Sequence, residues 1–302
     1  MLTKLIQLYG GLLLGVGVGW LLGRQLPPKT PTYLGHVLFW VGIPLSTFVF
    51  LRQTDLSGSI WLAAIAAWAA ILVGWLGMGV WLRRLAWPRR TQVSALLAAM
   101  VGNTGYLGFP VILTLTGPEG FAWALFYDLL GTMLGAYGLG SILASRGGAA
   151  QSPRLAGWWQ GLHNPMLWSF VSALVYRDPL PGAIETGLSR CAWSTIALAL
   201  VLIGMRLAQC SSQSMAGAWR PIALKMLLVP IGMYLFTRGL PIPSVAKSVL
   251  VLQAAMPPAF ATVVLAETYQ LDQRFAVATL SLGTIGFPLL LPLWLWLLAV
   301  MP

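Results

Sequence analysis

The sequence predicts an all-α polytopic membrane protein with ten transmembrane helices in two inverted five-helix repeats, the fourth and ninth helices being broken. Three observations predict it. Hydrophobic residues fill 58% of the 302 positions and charged residues only 8%, with a mean hydropathy of +0.80, whereas a soluble domain carries roughly three times that charged fraction. Ten apolar stretches approach the ~20 residues that a bilayer crossing needs. Two of these stretches are interrupted by Gly and Pro, at Met100–Pro110 and at Gln253–Pro258.

The elements follow in order. Leu5–Leu22 comes after Lys4 and lacks a small-x-small cleavage site, so it reads as a first span rather than a signal peptide. Tyr33–Leu51 and Gly58–Leu82 are the second and third spans, and Val93–Thr116 and Ala122–Ala144 the fourth and fifth. The second half supplies Trp159–Tyr176, Leu188–Leu207, Ile222–Phe236, Val245–Leu265 and Phe275–Val300. Trp81, Trp87, Trp158 and Trp159 flank spans, as interfacial aromatics do.

Charge sets the orientation. The 18 basic residues against 7 acids are scattered between apolar stretches, which marks topology and excludes a nucleic-acid-binding stripe. An even span count puts both termini on one side, with Lys4, Arg52, Arg177, Arg190, Arg238 and Lys247. The other side holds Arg24, Lys29, Arg83, Arg84, Arg89, Arg90, Arg146, Arg154, Arg206, Arg220 and Arg274. The richer side is expected to be cytoplasmic, placing the termini outside the cytoplasmic (inner or plasma) membrane.

The connection from Arg146 to Trp158 divides a first repeat, about 1–146, from a second, about 159–302. Five spans per half would insert the second half upside down. Faint internal similarity agrees: Ala98-Ala-Met100 recurs as Ala254-Ala-Met256, Phe121-Ala as Phe275-Ala and Gly131-Thr as Gly283-Thr, at offsets that drift only from 156 to 152.

The two breaks carry the functional argument. Pro110 cannot donate to the carbonyl of Tyr106, and Gly102, Gly105 and Gly108 loosen the backbone before it. Pro257 and Pro258 likewise release the carbonyls of Gln253 and Ala254. Each break leaves carbonyls on one half-helix and N–H groups on the next, whose positive dipole end attracts anions. The freed carbonyls, with Asn103, Thr104 and Gln253, are suited to a cation or a proton-bearing group. A plain kink satisfied by neighbouring helices is the alternative for either break alone. Two breaks at matching places point to a binding site of a transporter.

Other polar residues divide between roles. Asp128 is the one acid well inside a span, where ionisation costs ~3 kcal/mol on insertion scales; proton coupling and a structural hydrogen bond are the two readings. Lys225 is expected to snorkel to the interface as an anchor. His163 with Asn164-Pro165 reads as the entry of the sixth span, and Glu267 and Asp272 as solvated, or as part of a cytoplasmic gate. Cys191 and Cys210 fall at opposite ends of one span, too far apart to bridge, and have no metal-ligand spacing. No nucleophile elbow, His-Glu-x-x-His or P-loop is present, so the chain does not read as an enzyme, and no cofactor motif appears. Energy coupling is left to protons, sodium or the membrane potential.

Gly102-Asn-Thr-Gly105 with Tyr106-Leu-Gly108 and Pro110, Met256-Pro-Pro-Ala259, Asn164-Pro165, and Lys225 with Pro230 together resemble the auxin efflux carrier family over essentially the whole chain. Its compact members include bacterial permeases linked to malonate or malate, and the short central connection is similar to theirs. The resemblance implies ten helices in two inverted repeats, as in bile-acid transporters and sodium/proton antiporters, with helices four and nine crossing at their breaks. It implies that Asn103, Pro110, Gln253 and Pro257 lie at or beside the crossing, where substrate would bind; Thr104, Gly105, Tyr106, Met256 and Pro258, in the same two breaks, complete the candidate substrate-binding residues. It further implies a scaffold of helices one, two, six and seven, alternating access, and homodimers. The expected function is a secondary transporter of a small organic anion, a carboxylate. A non-transporting membrane scaffold or sensor and a channel-like facilitator are the alternatives.

Overall fold

The computed structural model describes residues 2–52, 58–148, 165–209 and 217–300. Trp158, Trp159, His163, Asn164, Arg154 and Cys210, and with them the middle of the central connection, lie outside these residues. Among the described residues every regular element is a helix, and the single β-feature is an isolated bridge.

In chain order the helices are α1 (Leu2–Gln25), α2 (Thr30–Arg52), α3 (Leu62–Leu82), α4 (Arg89–Met100) and α5, a run over Thr104–Gly147. Then come α6 (Pro165–Val175), α7 (Gly182–Ala208), α8 (Trp219–Arg238), α9 (Ser244–Ala254), α10 (Phe260–Thr268) and α11 (Gln273–Val300). Among the described residues six of these, α2, α3, α5, α7, α8 and α11, are long and apolar enough to cross a membrane. The spans expected at Val93–Thr116 and Val245–Leu265 are each divided, as α4 with the start of α5 and as α9 with α10. The α5 run turns at Gly117, whose φ of 72° and ψ of −166° only glycine adopts readily; Pro118 follows and starts the next helical segment.

The chain forms two compact units. The first comprises Met1–Ile60, Gly105–Leu125 and Leu162–Cys210, and so holds α1, α2, α6, α7 and the opening part of α5. Its spine is the α1–α7 contact. Gly15, Gly19 and Gly23 recur at every fourth position, and a Cβ at Gly19 would stand 2.0 Å from the Val201 carbonyl oxygen. Gly204 answers from α7, where a Cβ would stand 2.0 Å from the Val16 carbonyl oxygen. In hydrocarbon apolar burial gives little drive between helices, so close backbone approach of this kind supplies the packing.

The second unit comprises Trp61–Thr104, Phe126–Gly161 and Ser211–Pro302. Small residues again set the distances: Gly74 of α3 faces the Ala99 carbonyl of α4, and Gly131 of α5 faces Ala67 of α3. The opposite face of α3 exposes Ile65, Leu72, Leu76 and Val80, an apolar surface suited to lipid. At one end Arg220 lies over the rings of Trp87 and Trp219, while Trp87 meets Phe275 edge-on. Asp272 was expected to be solvated. It is half-buried instead, accepting from the Thr91 hydroxyl (2.7 Å) and the Phe275 N–H (3.0 Å), while its carbonyl accepts from Ser94 (3.1 Å). It thereby caps α11 and ties that helix to α4.

Candidate functional site at the paired helix breaks

Both breaks of the second unit are built from residues that helices tolerate poorly. α4 stops at Met100 where Gly102, Asn103 and Thr104 follow, two of which offer side-chain hydrogen bonds that compete with the helix. Val101 is extended, with φ −108° and ψ 115°. α9 stops at Ala254 ahead of Pro257 and Pro258, and a proline also disfavours helical backbone at the residue before it. Ala259 is again extended, with φ −77° and ψ 152°, and caps the start of α10.

The two extended stretches pair antiparallel. Asn103 N–H donates to the Pro257 carbonyl at 2.7 Å, and Ala259 N–H donates to the Val101 carbonyl at 2.9 Å. Gly102 and Pro258 face each other between these bonds as the non-hydrogen-bonded pair, the one place in such a ladder where a missing N–H costs nothing. Backbone groups that membrane depth would leave unsatisfied are thereby paired across the breaks. Gly283 of α11 closes against the prolines: a Cβ there would stand 2.7 Å from Pro258 Cδ and 3.0 Å from Pro257 Cβ.

Around this cross the polar residues are buried. Asn103 is 5% exposed, Thr104 1% and Gln253 fully buried. Gln253 Nε2 donates to the Thr104 carbonyl at 3.3 Å, joining the α9 side to the α4 side. The Thr104 hydroxyl reaches Gly102 O at 3.4 Å and donates to Asp128 Oδ1. Asp128 opens a π-helical stretch, Asp128–Met133, in which Trp68 Nε1 of α3 donates to the Leu130 carbonyl at 3.0 Å. Such stretches are frequent at functional sites. The sequence placed Asp128 inside a span; the structure adds its partner, Thr104, at the edge of the first break.

Lys225 corrects the expectation of an interfacial anchor. It is 1% exposed, and its ammonium donates at 3.0 Å to the carbonyl of Ala254, one of the two carbonyls released by the proline pair. The stem lies over Gly102, where a Cβ would come within 2.9 Å of Cε and 3.1 Å of Nζ. Among the described residues no carboxylate pairs with it. It lies in the π-helical turn Leu224–Leu228, where Leu224 and Met226 are buried with it.

Three expected residues, Gly105, Tyr106 and Pro110, belong to the first unit. The chain passes from the second unit to the first between Thr104 and Gly105. Tyr106 packs in the first unit against Leu38, Ala199 and Leu202. Pro110 follows the π-helical turn Thr104–Gly108 and lines an apolar groove with Gly15 and Leu200. The discontinuity of the fourth span is therefore at Val101–Asn103, upstream of Pro110.

Comparison with known proteins gives the family. The profile of a family described as membrane transport protein matches residues 3–295. The chain belongs to that family, the auxin efflux carrier-like family that its motifs resemble. As a family of transporters it is not one of enzymes. Relatives include an uncharacterized transporter of Methanothermobacter thermautotrophicus, 30% identical over 267 residues, which cover 86% of this chain and 87% of the relative. A second, from Methanocaldococcus jannaschii, is 26% identical over 280 residues, with 88% and 89% covered. The uncharacterized transporter YfdV of Escherichia coli is 23% identical over 218 residues, 69% of each chain.

Proposed function

We propose that this member of the family is a secondary transporter for a small organic anion, a carboxylate, which binds at the paired breaks of α4 and α9 and moves by alternating access. The observation that carries the reading is the Lys225 ammonium, buried beside both breaks with one carbonyl acceptor and no carboxylate partner among the described residues. An ammonium has three donors, so two remain for a ligand, and an uncompensated buried cation favours a negative one. The N-terminal end of α10 adds positive dipole character, and the Asn103 and Gln253 amides can donate to carboxylate oxygens.

Alternating access is supported by the division of the chain. Both breaks, with α4, α9 and α10, lie in one compact unit, and α1, α2, α6 and α7 lie in the other with the opening part of α5, a division suited to a moving bundle and a scaffold. The remaining parts of the reading, ten crossings in two inverted repeats and termini outside the cytoplasm, rest on the charge pattern and the recurring motifs. Both copies of Ala-Ala-Met occur where a helix, α4 or α9, gives way to extended backbone.

A thermal-shift screen of purified protein against mono- and dicarboxylates tests the binding half. A ligand at 100 times its Kd is expected to stabilise the folded state by about 2.7 kcal/mol. Asn103→Ala and Gln253→Ala are each expected to cost ~1–3 kcal/mol of that ligand's binding by leaving a desolvated oxygen unpaired. A hit whose affinity neither variant changes would move the site away from the breaks.

A further inference from the structure

We propose that the C-terminal end of α9 is a cation site that the chain fills with its own side chain, Lys225 being a positioning residue whose ammonium stands where a free cation would otherwise be held. The last carbonyls of a helix have no intrahelical donor and carry the negative end of its dipole. In α9 the usual partners of Gln253 O and Ala254 O would be the N–H groups of residues 257 and 258, and both are prolines. Met256 N–H turns back to Gln253 O at 3.3 Å, and Ala255 N–H is used on Val251 O at 3.0 Å. Ala254 O receives the Lys225 ammonium at 3.0 Å.

Half-helix C-terminal ends of this kind coordinate cations in transporters with discontinuous helices. A carbonyl at membrane depth has no water to turn to, so a cation there satisfies it as well as offsetting the dipole. Here the cation is covalently attached. The second break shapes the seat independently. Gly102 is not in the left-handed region, so its backbone does not require glycine. Space does: a Cβ would press on Cε and Nζ of Lys225 and stand 3.3 Å from the Met256 carbonyl oxygen. The α9 break thus supplies the acceptor and the α4 break the clearance, and one ammonium holds both.

The seat is built without any group from a substrate. The ammonium donates to Ala254 O and lies beside Gly102; Asp128 is engaged with Thr104, and among the described residues no ion pair joins it to Lys225.

Thermal unfolding of the full-length protein in detergent, in choline buffer without substrate, tests it by chemical rescue. Lys225→Ala empties the seat and is expected to lower Tm, and methylammonium is expected to restore most of the loss saturably while leaving wild type unchanged. Lys225→Met, which removes the charge but keeps the seat filled, is expected to lose stability without rescue. If Lys225→Ala folds too poorly to purify, preparation in methylammonium is expected to recover folded protein; failure to do so overturns the proposal. Gly102→Ala, which crowds the ammonium, is expected to lower Tm less in a Lys225→Ala background than in wild type. A Lys225→Ala variant as stable as wild type, or one that methylammonium leaves unchanged, also overturns it. Because no substrate is present, either failure leaves the carboxylate reading to be judged by ligand binding and flux.

Discussion

Thr104→Val removes one hydroxyl from the junction of the first break and keeps the shape of the side chain. The lost interaction is the hydroxyl's donation to Asp128 Oδ1, at a threonine 1% exposed and an aspartate 8% exposed. A hydrogen bond to a charged acceptor contributes ~1.5–3 kcal/mol and a neutral one ~0.5–1.5 kcal/mol. The size of the effect therefore reports the charge carried by Asp128. With an ionised carboxylate the variant should unfold with an equilibrium constant raised by about ten- to a hundredfold, since about 1.4 kcal/mol corresponds to a factor of ten. A double-mutant cycle of Thr104→Val with Asp128→Ala, measured by reversible denaturation in mixed micelles, isolates the pair from the cavity each change leaves. Coupling above about 1.5 kcal/mol assigns a carboxylate held ionised by Thr104, and a value near 1 kcal/mol assigns a protonated one. Coupling indistinguishable from zero would refute the assignment of Thr104 as the partner of Asp128.

Three further outcomes follow from the packing and the charge pattern. Gly19→Ala should destabilise the first unit by ~1–3 kcal/mol, because its Cβ meets the Val201 carbonyl oxygen at 2.0 Å, whereas Gly17→Ala, with nothing within 4 Å, should be near neutral in the same melt. Asp272→Ala should cost ~0.5–2 kcal/mol through the lost cap of α11, with hydrogen exchange rising first at Phe275, and unchanged exchange there would exclude the cap. Single cysteines introduced in a background lacking Cys191 and Cys210 should be labelled from the cytoplasmic side in the Arg83–Arg90 loop and from outside at both termini. Periplasmic labelling of that loop would reverse the orientation.

Legibility in the sequence tracked how local each cause is. Pro257-Pro258 announces the end of α9 because two consecutive prolines remove adjacent donors and disfavour helical backbone at the residue before them, and the recurring Ala-Ala-Met marks the residues where both breaks begin. Pro110 was less informative: it follows a π-helical turn inside a continuing helical run, and the discontinuity falls at Gly102, where low helix propensity and space for Lys225 act together. Lys225 itself was misread. A lysine near a span end snorkels by default, and nothing local connects residue 225 with the carbonyl of residue 254. The useful signal was indirect, since a released carbonyl at membrane depth requires a donor and lysine is among the few within the spans. Asp272 was similarly misjudged, because its partners Thr91 and Ser94 are far away in sequence.

The central claim, carboxylate transport at the paired breaks, is tested most directly by flux into proteoliposomes of a labelled carboxylate identified by the binding screen, compared with its uncharged amide. The account predicts saturable carboxylate flux that follows an imposed voltage, about 2.3 kcal/mol per elementary charge per 100 mV, exclusion of the amide, and loss of flux in a folded Lys225→Met variant. Equal flux of carboxylate and amide, or carboxylate flux that survives Lys225→Met unchanged, would contradict it.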